Sequence, residues 1–266
     1  MKNVIKRGTS LLLVLAMLLS FAAVVGAEEP TMPEKILTLT VANAALKAGE
    51  NLIPVYASVT GNYYVSLLQF SAESSNNEAV HIDTIYPGKP AGKTGTGVLL
   101  FEGSALDTVT GGSATYSPEN QPPAFGWTSR VDGFTGTPTL PICYIKVTAK
   151  ENVAAGAYQI NICKNPDITD GCVFATFVST TQVDNHYENE TTLNAGTAVV
   201  FPEGTDTTVF LTQDTFAAPT WENRESGGKY DLGDYLKIAK AEADGSVSIY
   251  PVDKSSLSIT GNTLKG

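Results

Sequence analysis

The sequence predicts an all-β protein: a jelly-roll-like β-sandwich of about nine strands, followed by a short, incomplete β domain. Three observations carry this. Hydrophobic residues make up 42% of the 266 residues and charged residues only 17%, a balance that belongs to packed chains rather than disordered ones. Thr, Val, Ser, Gly and Tyr are abundant, whereas helix-favouring residues are sparse. From Ile36 onward the chain breaks into short apolar or alternating runs separated by Gly, Asn, Pro and Asp, with almost no helical period.

Residues 1–27 read as a signal peptide. Lys2, Lys6 and Arg7 form a basic start, Leu11 to Val25 an apolar run, and Val25-Gly26-Ala27 a small-residue site that predicts cleavage after Ala27. The alternative is an uncleaved anchor, but a spanning helix needs about 20 apolar residues and this run is shorter. The chain is therefore expected to be exported, with no membrane association after cleavage. It is acidic, with 27 Asp+Glu against 17 Lys+Arg, and loss of the leader makes it more so. Nucleic acid is excluded as a partner, because phosphate binding needs clustered Lys/Arg.

Residues 28–35 form a polar lead-in. Strands are predicted at Ile36–Val41, Leu52–Val59, Tyr63–Ser71, Val80–Tyr86, Val98–Glu102, Ala124–Ser129, Leu140–Ala149, Tyr158–Cys163, Val173–Ser179 and Thr192–Phe201. Leu37, Leu39 and Val41 alternate with period two. Thr60-Gly61-Asn62, Pro87-Gly88, Gly111-Gly112, Asp132-Gly133 and Ala155-Gly156 punctuate the runs. Together, residues 36–201 form the sandwich. Residues 202–208 read as a linker, and 209–266 as a further β segment with strands near Val209–Leu211, Tyr235–Ala239, Ser246–Ile249 and Leu257–Ile259.

Within 36–201 an ordered set of signatures appears: Gly49-Glu50-Asn51-Leu52-Ile53-Pro54-Val55, then Ser66-Leu67-Leu68-Gln69-Phe70, then His81 to Gly88 ending in Pro-Gly. Phe125-Gly126-Trp127 follows, then Cys143 to Ala149, Gly156-Ala157-Tyr158-Gln159-Ile160 and Ala195 to Val200. In this order they resemble a cohesin domain, the receptor module of cellulosome scaffolds. Tyr230-Asp231-Leu232-Gly233-Asp234-Tyr235-Leu236 and Asp244-Gly245-Ser246 resemble bacterial immunoglobulin-like surface modules. Such modules need more strands than remain, so the chain is expected to be a fragment or an incomplete product; a short second domain is the alternative.

The resemblance implies a non-catalytic module. Its flat face, built from the third, fifth, sixth and eighth strands, docks dockerins, which are small calcium-loaded helical modules. No cofactor is expected, and calcium belongs only to the partner. Strand alternation puts Leu68 and Phe70 inward and Leu67 and Gln69 outward. Phe125 and Trp127 share one face of their strand; Tyr158, Ile160 and Ile162 share one face of theirs, leaving Gln159 and Asn161 on the other. The outward candidates are Leu67, Gln69, Ser129, Gln159 and Asn161. The expected partners are dockerin-bearing enzymes or scaffold proteins, in a secreted or cell-surface complex of a bacterium that breaks down polysaccharide. Two other readings stand beside this one. A carbohydrate-binding module would use Tyr63, Tyr64, Tyr116 and Trp127 as platforms, and a surface adhesin stalk would bind neither dockerin nor sugar.

Other chemistry finds little material. His81 and His186 lie far apart and outside any motif. Glu102, Asp107, Asp132, Asp167, Asp170 and Asp184 are scattered over turns, and no nucleophile elbow, phosphate loop or zinc-protease motif occurs. Asn165 to Gly171 offers oxygen ligands but does not fit an EF-hand loop, so it reads as a polar turn, and no metal site is expected. Cys143, Cys163 and Cys172 form an odd set. A Cys163–Cys172 bridge across a turn-rich stretch is sterically feasible; three buried thiols are the alternative.

Overall fold

The computed structural model describes residues 36–266 apart from 62, 118–121, 130–132, 164–173, 180–181, 189–190, 212–235, 254, 256–257, 261–262 and 266. The expected signal peptide and lead-in therefore lie outside the described residues, as do Cys172, the Asn165–Gly171 turn and most of the Tyr230–Leu236 motif. The described chain is all-β apart from one 3-10 turn at Ala105–Thr108.

One sheet holds β1 (Leu37–Val41), β3 (Gly49–Val59), β5 (Val80–Tyr86), β10 (Cys143–Ala149) and β14 (Thr192–Asn194), in the order β14-β1-β3-β10-β5. These strands alternate as the sequence predicts. Leu37, Leu39 and Val41 are buried, and so are Ile53, Val55, Ala57 and Val59 on β3, and Cys143, Ile145 and Val147 on β10. Cys143 behaves as a core residue: complete burial pushes its thiol well above the usual cysteine range.

The second sheet is organised by the twelve-residue strand β4 (Tyr63–Ser74). Leu67 and Gln69 each pair with β9 (Ala124–Ser129) on one edge and with β12 (Phe174–Ser179) on the other. Ser71 likewise lies between β9 and β11 (Gly156–Cys163), so β11 and β12 follow one another along the same edge of β4. Beyond β9 comes β8 (Gly112–Ser117); beyond β12 comes β13 (Gln182–Glu188); beyond β11 come β15 (Gly196–Val200) and the two-residue β2 (Ala44–Ala45). Leu68, Phe70, Ala72, Phe125, Trp127, Tyr158 and Ile160 point inward from this sheet and are buried.

Two differences from the expected strands are informative. The run expected as Thr192–Phe201 divides at Ala195 into β14 in one sheet and β15 in the other. The N-terminal chain crosses at the same corner, from β1 to β2, and the two segments pair in parallel on both sides of the crossing. A Cβ on Gly196 would lie 2.6 Å from the Ala42 carbonyl oxygen, so only glycine fits this close approach. The strand expected at Val98–Glu102 belongs to neither sheet. As β7 (Leu99–Glu102) it pairs with β6 (Lys89–Lys93) in a separate ribbon. This ribbon reaches the outer surface of the first sheet, where Phe101 packs on Tyr86 with ring centroids 5.2 Å apart and the Lys89 ammonium stands 5.5 Å from the Tyr144 ring centre.

After Phe201, β16 (Thr207–Leu211), β17 (Leu236–Ala241) and β18 (Val247–Pro251) form a three-stranded sheet, and β19 (Ser258–Thr260) pairs with β20 (Thr263–Lys265). Thr207 and Thr208, expected in the linker, belong to β16. The small sheet packs on the outward side of β15: Phe210, Ala239 and Val247 form a buried cluster with Val199, with Ala45, Ala157 and Phe201 against it. The Ala45 amide donates to the Gly245 carbonyl at 3.1 Å and the Val247 amide to that of Asn43 at 3.3 Å. Truncating Phe210 to Ala removes the largest side chain of this cluster and is expected to lower stability by about 3 kcal/mol. Urea unfolding together with limited proteolysis checks this; the variant should be cut between residues 200 and 207 under conditions that spare the parent.

Candidate functional site

The outward side of the second sheet follows from the inward one. Because Leu68 and Phe70 are wholly buried, Leu67 and Gln69 must face away from the core, and both are half-buried there. The pairing extends them into two cross-strand rows: Thr115, Gly126 and Gln69 in one, Ser113, Thr128 and Leu67 in the other. On β11, burial of Tyr158, Ile160 and Ile162 leaves Gln159 and Asn161 outward, with Asn161 opposite Glu73. The Gln159 carbonyl accepts the Ser75 amide at 2.9 Å and the Gln159 amide donates to the Ser75 hydroxyl at 3.0 Å, which continues the β4–β11 pairing past the end of β4. Four of the five candidate residues thus share one face. Leu67 and Gln69 are neighbours on it, and Gln159 and Asn161 lie on the strand paired to the far end of β4.

Ser129 is the exception. It has the same parity as Phe125 and Trp127, is buried, and donates to the Thr110 carbonyl at 3.0 Å. Its polarity made it look like a surface residue, but alternation along β9 turns it inward, and Thr128 takes the exposed position. The expected fifth strand is corrected in the same way: β8, a Gly-Ser-Ala-Thr strand with weak strand propensity, borders β9 where the ribbon strand β7 was expected.

Among the described residues the face carries few charged side chains. Gly126 leaves a side-chain-free gap between the Thr115 hydroxyl and the Gln69 stem, and Glu73 at its margin is exposed. At the end of the face, Cys163 lies opposite Ser71. As a thiol it is pushed up to about 11, chiefly by burial and then by the Glu73 charge. The feasible Cys163–Cys172 bridge has its other end outside the described residues. The opposite margin of the face, over Ala157 and Val199, is covered by β16 and its neighbours.

Three of the four alternative aromatic platforms are described, and these three do not come together. Trp127 is a core residue, its ring centroid 5.6 Å from that of Phe134. Tyr63 and Tyr64 are adjacent on one strand and so point to opposite sides. The side chain of Tyr116 lies outside the described residues. Tyr64 lines a cavity of about 680 Å³ with Ala105, Phe134, Pro138 and Leu140. No carboxylate, imidazole or amine lines that cavity among the described residues. Among the described residues no group of three or more His, Cys, Asp or Glu side chains is placed to hold a metal ion. His81 sits half-buried on β5, and the His186 side chain lies outside the described residues.

No family model and no curated protein matches the chain. Solved structures to which the fold is similar include the seventh ScaB type I cohesin of Pseudobacteroides cellulosolvens, with 10% identity and a TM-score of 0.45 over 64% of this chain and 96% of that one. The third ScaB cohesin of R. flavefaciens, solved with a group 1 dockerin, has 14% identity and a TM-score of 0.43 over 64% and 99%. A non-cellulosomal cohesin of Archaeoglobus fulgidus has 11% identity and a TM-score of 0.35 over 64% and 94%.

The inward placement of Ser129 is testable. Ser129→Ala leaves the Thr110 carbonyl without its donor and is expected to lower stability by about 1 kcal/mol. Thr128→Ala, its outward neighbour, should stay within roughly 0.5 kcal/mol of the parent. Paired urea titrations measure both.

Proposed function

We propose that residues 36–201 are a non-catalytic, cohesin-type binding module that captures dockerin-bearing proteins outside the cell. One observation carries this reading. The residues that the cohesin-like signatures mark as outward, Leu67, Gln69, Gln159 and Asn161, lie on one face of a sheet whose neighbouring strands are β8, β9, β4 and β11. The physical character of the face supports it. A surface laid on paired strands is already ordered, so little conformational freedom is lost on docking and more of the contact energy appears as affinity. Leu67 supplies an apolar anchor, Gln69, Gln159 and Asn161 supply hydrogen-bonding groups that fix register, and Gly126 and Thr128 keep the floor low enough for a helix to lie across it.

The signal-peptide pattern supports the reading that this activity is exercised at the surface of, or outside, a bacterial cell. There the module would recruit dockerin-bearing enzymes or scaffold proteins into a complex that breaks down polysaccharide. The strands after Phe201 are read as belonging to an immunoglobulin-like surface module. Calcium enters only with the partner.

Titration of the full chain against a panel of calcium-loaded dockerins tests the proposal. Saturable binding to at least one is expected. Leu67→Asp and Asn161→Ala should each weaken it roughly tenfold or more, as substitutions at a central anchor do, while Ser129→Ala leaves it unchanged. Silence across a broad panel, or binding indifferent to Leu67 and Asn161 together, would sink the reading.

A further inference from the structure

The first sheet also presents an outward face, and the β6–β7 ribbon partly roofs it. Between roof and sheet lies a cavity of about 350 Å³ lined by Glu50, Leu52, Tyr86, Pro90, Leu99 and Lys146. We propose that this cavity binds a neutral saccharide, independently of the docking face on the opposite side of the sandwich.

The polar half of the cavity is preassembled. Lys146 on β10 donates to Glu50 Oε1 at 2.5 Å and stands 3.8 Å from Asp83 Oδ2. Thr148 holds that Asp83 carboxylate with a hydrogen bond of 2.7 Å. The hydrogen bond to Glu50, more than any other influence, raises the Lys146 pKa, so the ammonium stays charged. Glu50 is 72% exposed and keeps acceptor capacity towards the opening. Directly opposite Lys146, on the outward row of β5, stands Thr84, which is buried beneath its neighbours and is not among the residues that line the cavity. Tyr86, two residues along the same outward row, is steadied by Phe101.

These groups select the ligand class. Glu50 and Asp83 flank a single ammonium, so the local charge and the acidic whole repel an anion. A cation would have to displace the Lys146 ammonium from both carboxylates. A wholly apolar ligand would strip water from the ion pair without replacing its hydrogen bonds. A sugar meets all three conditions: each hydroxyl both donates and accepts, so adjacent hydroxyls bridge Glu50 and Lys146. Its C–H face lies on the wall made by Tyr86, Leu52, Leu99 and Pro90. The volume is near the lower end of the roughly 300–1,000 Å³ of small-molecule pockets, room for one or two sugar units.

The test is isothermal titration of the full chain with cellotetraose, xylotetraose and mannotetraose. Saturable binding of at least one is expected. Lys146→Met removes the ammonium that lines the cavity, and Leu99→Arg fills the cavity from the ribbon without touching the sandwich core. Each should weaken binding roughly tenfold or more. Thermal melts establish that both variants fold, and Leu99→Arg keeps the test decisive if Lys146→Met does not. Absence of saturable binding to all three sugars overturns the proposal, as does binding that Leu99→Arg leaves unchanged.

Discussion

Burial of one row of side chains on β4 governs the rest of the molecule. Leu68, Phe70 and Ala72 are wholly inaccessible, and the Phe70 ring lies 5.2 Å from that of Phe125 on the neighbouring strand. Burying a Leu or Phe side chain is worth about 1.5–3 kcal/mol, so a one-residue slip that turned this row to solvent would forfeit several kcal/mol at once. Register is therefore set from the inside. The outward row, Leu67 and Gln69, has no freedom to be elsewhere, and through the pairings of β4 neither have Thr128, Gly126 and Asn161. The candidate face is a by-product of the core.

The two outer surfaces of the sandwich differ in kind. Among the described residues, that of the second sheet is built largely of small and amide side chains and is bounded on one flank by the β16–β18 sheet seated over Val199. That of the first sheet is furrowed, roofed by the β6–β7 ribbon, and carries the Lys146 ion pairs. A surface of small and amide side chains suits a folded macromolecule, whose affinity comes from many weak contacts around a few anchors. A furrow with paired charges suits a small polar molecule held by a handful of hydrogen bonds.

How much of this was legible in the sequence depends on the range of the interaction that decides it. β1, β5, β9 and β11 fall where period-two alternation and turn residues put them, because their burial is decided by their own side chains. β8 escaped notice because Gly112-Ser113-Ala114-Thr115 has little intrinsic preference for a strand; it extends because β9 offers it a complete set of partners. Val98–Glu102 was recognised as a strand but not as a ribbon, since nothing in a local run says which edge it will join. Ser129 shows the converse error: its chemistry outweighed a parity already visible in Phe125 and Trp127. The Lys146 site draws on Glu50, Asp83 and Lys146 from three strands, and no local pattern announces it.

The corner where β1 passes into β2 and β14 into β15 has a mechanical consequence. The first and last strands of the sandwich run parallel there, tied side by side by the evenly spaced bonds of a parallel ladder. Tension applied between the start of β1 and the end of β15 loads those bonds in shear, all together. It does not peel them open one after another from an end.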